Sequence, residues 1–120
     1  MANEIQITSS IKVENGNLLD SFSTGTQNID QSAVGGPTPG YVTIGTSEEE
    51  VAFGELTTPG YCVIKNLDGT NFVEWGFSTT VYGGKLLAGE TAGPFRLNGL
   101  SLFLKADTAA CKVLIKAYES

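Results

Sequence analysis

The feature that most constrains the fold is the even scatter of helix-breaking residues along the chain. Fifteen glycines and four prolines are distributed over 120 residues, and few stretches between them are long enough for an α-helix. Valine, isoleucine, threonine, tyrosine and phenylalanine, which favour β-strands, fill these stretches. Since a chain of this length buries enough surface for one core, we predict a single all-β domain over residues 1–120.

An Asp-Gly pair joins two apolar, strand-prone runs in the middle of the chain. The runs cover residues 59–67 and 70–76, and the pair is Asp68-Gly69. Asp-Gly between β-branched and aromatic residues is a strong hairpin signal, because glycine tolerates the positive φ of a primed turn. We therefore predict a central β-hairpin over residues 59–76.

Alternation of apolar and polar residues with a period of two, interrupted only at Ser9, marks the N-terminal segment. The odd positions of this stretch are Ile5, Ile7, Ser9, Ile11 and Val13. An Asn-Gly-Asn turn at residues 15–17 and a returning run at 18–23 favour an N-terminal hairpin. Residues 1–14 are thus predicted as a strand of the domain or as an extended arm, and the weaker segment 24–33 as an edge strand or an extended segment.

The C-terminal run fits two patterns. A strand would place on one face the residues Cys111, Val113, Ile115 and Ala117. Helical spacing is also satisfied from Ala110 to Tyr118. We prefer a strand because the leucines of residues 100–104 alternate cleanly in the preceding run. In that strand Cys111 points into the core, as Cys62 does in its own run, and we expect both to be free thiols.

Several further short apolar runs are separated by glycine-containing breaks. They cover residues 41–44, 79–82, 85–87 and 94–97. The breaker-dense stretch 35–40 is a loop that marks no domain boundary, because strand-like sequence follows it. Short strands at close spacing are typical of two-sheet folds, so we predict a jelly-roll-like antiparallel β-sandwich of about eight strands.

Charge and composition exclude several classes of partner. Seven basic and thirteen acidic residues give a net charge of −6, which opposes attraction to nucleic acid phosphates. The first residues lack the basic and apolar regions of a signal peptide, and no apolar run approaches the roughly 20 residues of a membrane span. We expect a soluble protein that binds neither nucleic acid nor membrane.

The types and spacing of the potentially reactive residues also argue against catalysis. The chain has no histidine, the commonest general base and metal ligand. Cys62 and Cys111 form no metal-binding motif, and the acidic run 48–50 lacks the spacing of a calcium loop and is interpreted as a solvated edge. We predict no catalytic residue, no metal site and no cofactor, and we expect that the protein is not an enzyme.

Aromatic residues and one arginine are the remaining candidates for a binding site. Tyr61, Phe72 and Trp75 could form a platform for a sugar, but Phe72 and Trp75 are expected on opposite faces, and such residues in a β-hairpin are more often core. Arg96, the only arginine, is either the partner in a structural ion pair or the anchor of an interface.

Several short turn and strand segments, spread over nearly the whole chain, together carry a resemblance to a known kind of protein. They are residues 44–49, 58–61, 65–68 with 70–73, 87–90, 95–97 and 105–110. This set resembles a recurring small virion protein of tailed bacteriophages. The resemblance implies a β-sandwich that coats or joins a capsid or a tail, and it carries no catalytic motif.

Among phage virion proteins, a small acidic domain without catalytic residues is similar to capsid decoration, or cement, proteins. The resemblance implies a homo-oligomer that binds the major capsid protein of the assembled head and reinforces it, and that is located in the virion. The alternative is a carbohydrate-binding or receptor-binding module associated with a tail or fibre.

Five residues are predicted at the interface: Ile5, Ile7, Ile11, Val13 and Arg96. A terminal strand can add to the sheet edge of a neighbouring protein, which would make the isoleucine and valine stripe a tying element. The other interpretation is that this stripe belongs to an ordinary strand of the protein's own sandwich.

Overall fold

The computed structural model describes residues 4–31 and 33–120, and these residues form ten β-strands and no helix. The strands are β1 (Ile5–Asn15), β2 (Leu18–Ile29), β3 (Thr38–Ile44), β4 (Glu49–Glu50), β5 (Pro59–Asn66), β6 (Val73–Gly76), β7 (Gly84–Leu86), β8 (Thr91–Arg96), β9 (Phe103–Ala106) and β10 (Cys111–Glu119). The all-β prediction is confirmed. The chain divides into two units, Met1–Ser32 and Ala33–Ser120. One domain over residues 1–120 spans both units and stays a prediction.

The first unit is an antiparallel hairpin of β1 and β2. A two-residue loop, Gly16-Asn17, joins the strands, and Gly16 has a φ of 58°. A type II′ turn requires positive φ at the first loop position, which is why glycine suits this place. The predicted N-terminal hairpin is confirmed, and β2 continues past residue 23 as far as Ile29.

A β-bulge interrupts the hairpin opposite Ser9. Thr24 and Gly25 together stand against this single residue, and Gly25 has a φ of 66°. The Thr24 hydroxyl occupies the gap in the ladder, where it accepts a hydrogen bond from the Ser9 N–H at 3.0 Å. One extra residue reverses the alternation of side chains, so Phe22 and Ile29 share a face although their numbers differ in parity.

The second unit is an antiparallel β-sandwich of two four-stranded sheets. The strand orders are β3-β10-β5-β8 and β4-β9-β6-β7. Consecutive strands mostly alternate between the sheets, and only β6 and β7 are neighbours both in sequence and in a sheet. This is the arrangement of an eight-stranded jelly roll. The predicted jelly-roll-like sandwich is confirmed.

Alternate side chains of the central strands fill the core between the sheets. Those of β5 and β10 with no exposed surface are Cys62, Ile64, Cys111, Val113, Ile115 and Ala117. The opposite sheet contributes Val73 and Leu104, which are equally buried. The preference for a strand over a helix at the C-terminus is therefore confirmed. Both cysteines are buried, unpaired thiols.

The prediction of a central hairpin over residues 59–76 is wrong. β5 and β6 lie in different sheets, so the residues between them form a corner of the sandwich. The Asp68 carboxylate accepts hydrogen bonds from the N–H groups of Thr70 at 2.9 Å and Asn71 at 2.6 Å. Gly69 does not adopt a positive φ. Asp-Gly therefore serves an Asx-type turn here, and not the primed turn of a hairpin.

The buried side chain of Asn66 directs the chain through this corner. Its amide nitrogen donates to the carbonyl of Asn71 at 2.9 Å, and to those of Leu86 and Leu87 at 3.2 and 3.3 Å. Its Oδ1 accepts a hydrogen bond from the Asp68 N–H at 3.0 Å. Because a buried amide needs all its partners, these bonds tie the end of β5 to the end of β7 in the other sheet.

The four outer strands of the sandwich are short or interrupted. β4 has two residues and β7 has three. Each of the longer edge strands contains a proline, Pro39 in β3 and Pro94 in β8. Proline offers no N–H to a neighbouring strand, and short strands offer few, so these edges resist the addition of another chain.

Candidate interface surfaces

One face of the hairpin is largely apolar and the other is polar. Directly opposed residues of an antiparallel pair lie on the same face. The apolar face carries Ile5, Ile7, Ile11, Val13, Leu18, Phe22 and Ile29, with Asp20 and Gln27 among its polar members. The other face carries Gln6, Thr8, Ser10, Lys12, Glu14, Leu19, Ser21, Ser23, Thr26 and Asn28. A two-stranded sheet of this kind is marginally stable unless its apolar face is covered.

The apolar face is most exposed near the turn. Four side chains there form what we call the distal patch: Ile11 (61% exposed), Val13 (36%), Leu18 (58%) and Phe22 (63%). Ile7, farther from the turn, is only 6% exposed. Contiguous exposed apolar side chains, unlike isolated ones, mark sites of interaction.

Both outer edges of the hairpin lack a strand partner within the described residues. β1 and β2 have 11 and 12 residues and contain no proline. The Ser9 N–H points towards β2, so by alternation the N–H groups of Ser10, Lys12 and Glu14 point to the outer edge of β1. A long edge with unpaired N–H and carbonyl groups is a template for a further strand.

Four of the five predicted interface residues lie together on the apolar face of β1: Ile5, Ile7, Ile11 and Val13. Arg96 lies at the end of β8, where its guanidinium stands 4.6 Å from the centre of the Tyr61 ring and donates to the Ser120 hydroxyl at 3.5 Å. Its role at an interface stays a prediction. Sequence reasoning missed Leu18 and Phe22. The apolar residues of β1 have odd numbers and these two have even numbers, and only the pairing of the strands shows that they share a face.

Three aromatic rings cluster where β6 and β8 come together. Trp75 stacks on Phe95 with ring centres 5.3 Å apart, and Phe77 meets both rings edge-on at 5.6 and 6.0 Å. Gly84 also lies against the indole, where any Cβ would collide with the ring. With Phe95 and Gly84 against it, Trp75 packs on the core and is not a free platform.

Beside this cluster lies an open cleft of about 460 Å³. Its lining residues are Trp75, Gly76, Phe77, Ser78, Val81, Gly83 and Gly84. Phe77 and Val81 are 50% and 62% exposed. The other two aromatics of the predicted platform have separate partners, since Lys85 stands over Phe72 and Arg96 over Tyr61.

The carboxylate of Glu48 holds the loop that forms one wall of this cleft. It accepts hydrogen bonds from the hydroxyls of Thr79 and Tyr82 and from the Thr80 N–H, the last at 2.6 Å. The bond from Thr79, with those from Tyr82 and Thr80, holds the pKa of Glu48 below its usual range. The hydrogen bond between the Tyr82 hydroxyl and Glu48 in turn raises the pKa of Tyr82 to about 12. Glu48 of the predicted solvated edge therefore also positions a loop.

Chemical reactivity is low at the cysteines. Burial raises the pKa of the Cys62 thiol to about 12, and burial, with the charges of Asp68 and Asp107, raises the pKa of Cys111. Protonated thiols are poor nucleophiles and poor metal ligands. Over residues 4–31 and 33–120, no three histidine, cysteine, aspartate or glutamate side chains are grouped to hold a metal ion, and no helix is long and apolar enough to cross a membrane.

No family model, no curated protein and no solved structure matches the chain. Among the described residues, the hairpin offers an exposed apolar patch and two strand edges without a partner strand, and the sandwich offers an apolar cleft.

Proposed function

We propose that the protein is a structural protein of a tailed-bacteriophage virion, namely a capsid decoration protein that binds and stabilises the assembled head. Its partner is the major capsid protein, and it acts as a homo-oligomer on the shell. It performs no catalysis in this role. The resemblance of the turn and strand segments to small virion proteins supports the proposal.

The observation that carries the proposal is the distal patch. Ile11, Leu18 and Phe22 each expose more than half of their surface on one face of a sheet that has only two strands. Such a face is stable only when a neighbour covers it. A protein that functions inside an assembly meets that neighbour there, so the patch favours an assembly protein.

The jelly roll is compatible with this role. Eight-stranded jelly rolls recur in viral capsid proteins and in lectins. Since one fold serves many functions, the sandwich alone does not choose between them. The hairpin is the additional feature that favours the capsid.

Stabilisation would arise from repetition. A protein that binds the assembled shell, but not its separated subunits, shifts the equilibrium towards the intact particle. Many symmetry-related contacts then have to break together before the shell opens. Each single contact can be modest.

Particles that lack the protein test the proposal. They should assemble normally but burst at lower temperature or milder osmotic shock than complete particles, and purified protein added back should restore resistance. Phe22→Asp should fail to restore it, whereas Leu19→Asp, on the polar face and 71% exposed in the native protein, should restore it fully. Equal stability with and without the protein would overturn the proposal.

The cleft favours a second candidate function. Phe77 and Val81 are exposed beside Ser78 in a concave site, which suits a sugar ring or another flat apolar group of a receptor. Under this alternative the protein is a carbohydrate-binding or receptor-binding module of a tail or fibre. Phe77→Ala should then weaken binding to cell-surface glycans, and Leu100→Ala, a residue 54% exposed in the native protein, should not. Stripped particles would keep their stability but lose adsorption to cells.

A further inference from the structure

We propose that three copies of this chain associate through their N-terminal hairpins into a closed six-stranded antiparallel barrel, with the distal patches inside. The inference concerns the surface that carries the proposed function and deepens it. It names the neighbour that covers the patch as further copies of the same chain. It can be tested on the purified protein, without any particle.

Two separate features of the hairpin need a partner. The distal patch exposes Ile11, Val13, Leu18 and Phe22 on one face. In addition, the outer edges of β1 and β2 carry backbone groups with no strand partner in the part of the chain that the structure describes. A surface that covers only the patch leaves the edges open.

A pair of hairpins packed face to face is too small. The distal half of the hairpin, residues 10–15 and 18–23, is about 20 Å long and about 10 Å wide, or on the order of 200 Å². Even if the relief of the side chains doubles this area, two faces bury on the order of 800 Å², against roughly 1,200 Å² for a stable interface. Both edges of each hairpin would also remain unpaired.

A ring of three copies satisfies both needs at once. When hairpins are related by rotation about an axis along their strands, β2 of one copy lies beside β1 of the next and runs antiparallel to it. Such head-to-tail contacts close into a ring, and a closed barrel has no strand edges. All apolar faces then point to the common axis, and the three hairpins together supply six strands.

The distribution of polar residues fits this arrangement. Lys12 and Glu14 form an ion pair at 2.7 Å on the outer face, in water. Asp20 is the one charged residue on the inner face of residues 10–23, and it lies close to the turn, where the mouth of the barrel is open to solvent. The centre of the patch, where Ile11 stands directly opposite Phe22, is apolar.

The sandwich does not compete for the same pairing. Its edge strands are two or three residues long or contain Pro39 or Pro94. Of the strands described here, β1 and β2 therefore have the edges best suited to pair with another copy. If copies of the chain pair through strand edges, they should therefore pair through the hairpin.

Native mass spectrometry and light scattering of the full-length chain test the ring. The expected particle has three times the chain mass of 12.6 kDa. Phe22→Asp should give a monomer, because three carboxylates would meet at the axis. Leu19→Asp places the same charge on the outer face and should remain a trimer.

A second pair of variants tests the edge contacts separately from the patch. Ser10→Pro removes an N–H that points to the outer edge of β1, and it should convert the trimer to monomer. Ser10→Ala keeps that N–H and should leave the trimer intact. Circular dichroism should show that the sandwich of each variant remains folded.

The outcomes separate this inference from the proposed function. A wild-type chain that is monomeric or dimeric over a concentration series overturns the ring, even if it still stabilises phage heads. So does a trimer that survives both Phe22→Asp and Ser10→Pro. A trimer that has no effect on heads would leave the ring standing and contradict the decoration role.

Discussion

The hairpin and the sandwich are built from the same kind of strand but differ in what they leave open. Ile115 in β10 has no exposed surface, whereas Ile11 in β1 is 61% exposed. The sandwich interrupts its outer strands, as with Pro39 and Pro94, while the hairpin keeps two long edges without proline. Within the described residues, the sandwich thus protects its edges, whereas the hairpin leaves its edges and its apolar face open; in the proposed ring, neighbouring copies cover both.

Shortening an isoleucine in each region should show the largest contrast. Ile115→Ala opens a cavity in the core and should lower the free energy of unfolding by about 2–5 kcal/mol. Ile11→Ala should change the free energy of unfolding of the sandwich by less than about 0.5 kcal/mol. Urea unfolding followed by the fluorescence of Trp75, the only tryptophan, measures the free energy of unfolding of the sandwich in both variants. If both variants lost a similar free energy of unfolding, the contrast between the sandwich and the hairpin would be wrong.

Removing an asparagine side chain in each region should give a smaller contrast. Asn66→Ala leaves buried carbonyls, including that of Leu86, without their donor, and should cost about 1–3 kcal/mol of unfolding free energy. Asn28→Ala changes an exposed residue on the polar face of the hairpin and should have little effect. The same urea experiment checks both, and an inert Asn66→Ala would show that the corner is held by something else.

The C-terminal strand of the sandwich should make stability depend on pH. Burial by itself would raise the pKa of Glu119, but the N–H and hydroxyl of Thr57 and the N–H of Thr58 donate to its carboxylate and hold that pKa below its ordinary value near 4.5. A depressed folded pKa means that this stabilisation is present above about pH 4.5 and is lost as the pH falls through the folded value.

Glu119→Gln should therefore lower the urea midpoint at neutral pH and flatten its decline in acid. Thr57→Val, which removes one donor, should have a weaker effect in the same direction. Unfolding midpoints measured across the acidic range decide the matter. An unchanged pH profile in Glu119→Gln would exclude this carboxylate as the cause.

The smallest effect is expected at the bulge of the hairpin. Gly25 has a φ of 66°, which costs other residues roughly 1–2 kcal/mol, so Gly25→Ala should disturb β1 and β2 locally. Amide chemical shifts of these strands should change, while the unfolding midpoint of the sandwich stays the same. Gly25→Asn should disturb the hairpin less, because asparagine tolerates this conformation better.

Local patterns predicted much of the strand content but not how the strands are distributed between sheets. Alternation along β10 and the turn signal of residues 15–17 were sufficient for those elements, because burial on one face and a two-residue turn are local properties. Asp68-Gly69 misled, since the same dipeptide serves a hairpin or a corner. The side chain of Asn66 decides between them through carbonyls 20 and 21 residues away, and these contacts leave no local signal.

The candidate site was predictable only in part for a related reason. The stripe of Ile5, Ile7, Ile11 and Val13 is visible in the sequence, but its continuation on β2 depends on the pairing register. The two-residue turn places Leu18 and Phe22 on the same face, and the bulge at Thr24 and Gly25 places Ile29 there. An inserted residue shifts the parity of everything beyond it. The stacking of Trp75 on Phe95 likewise joins two sheets and is not legible along the chain.

Amide hydrogen exchange, read residue by residue by NMR, tests most directly whether neighbours complete the hairpin. The N–H groups of Ser10, Lys12 and Glu14 point away from β2, so a lone hairpin leaves them open to water. In the wild-type protein they should exchange slowly, and in Phe22→Asp they should exchange fast, while the amides of β5 and β10 stay equally protected in both. Fast exchange of these three amides in the wild-type protein, at the rates of the variant, would contradict the account.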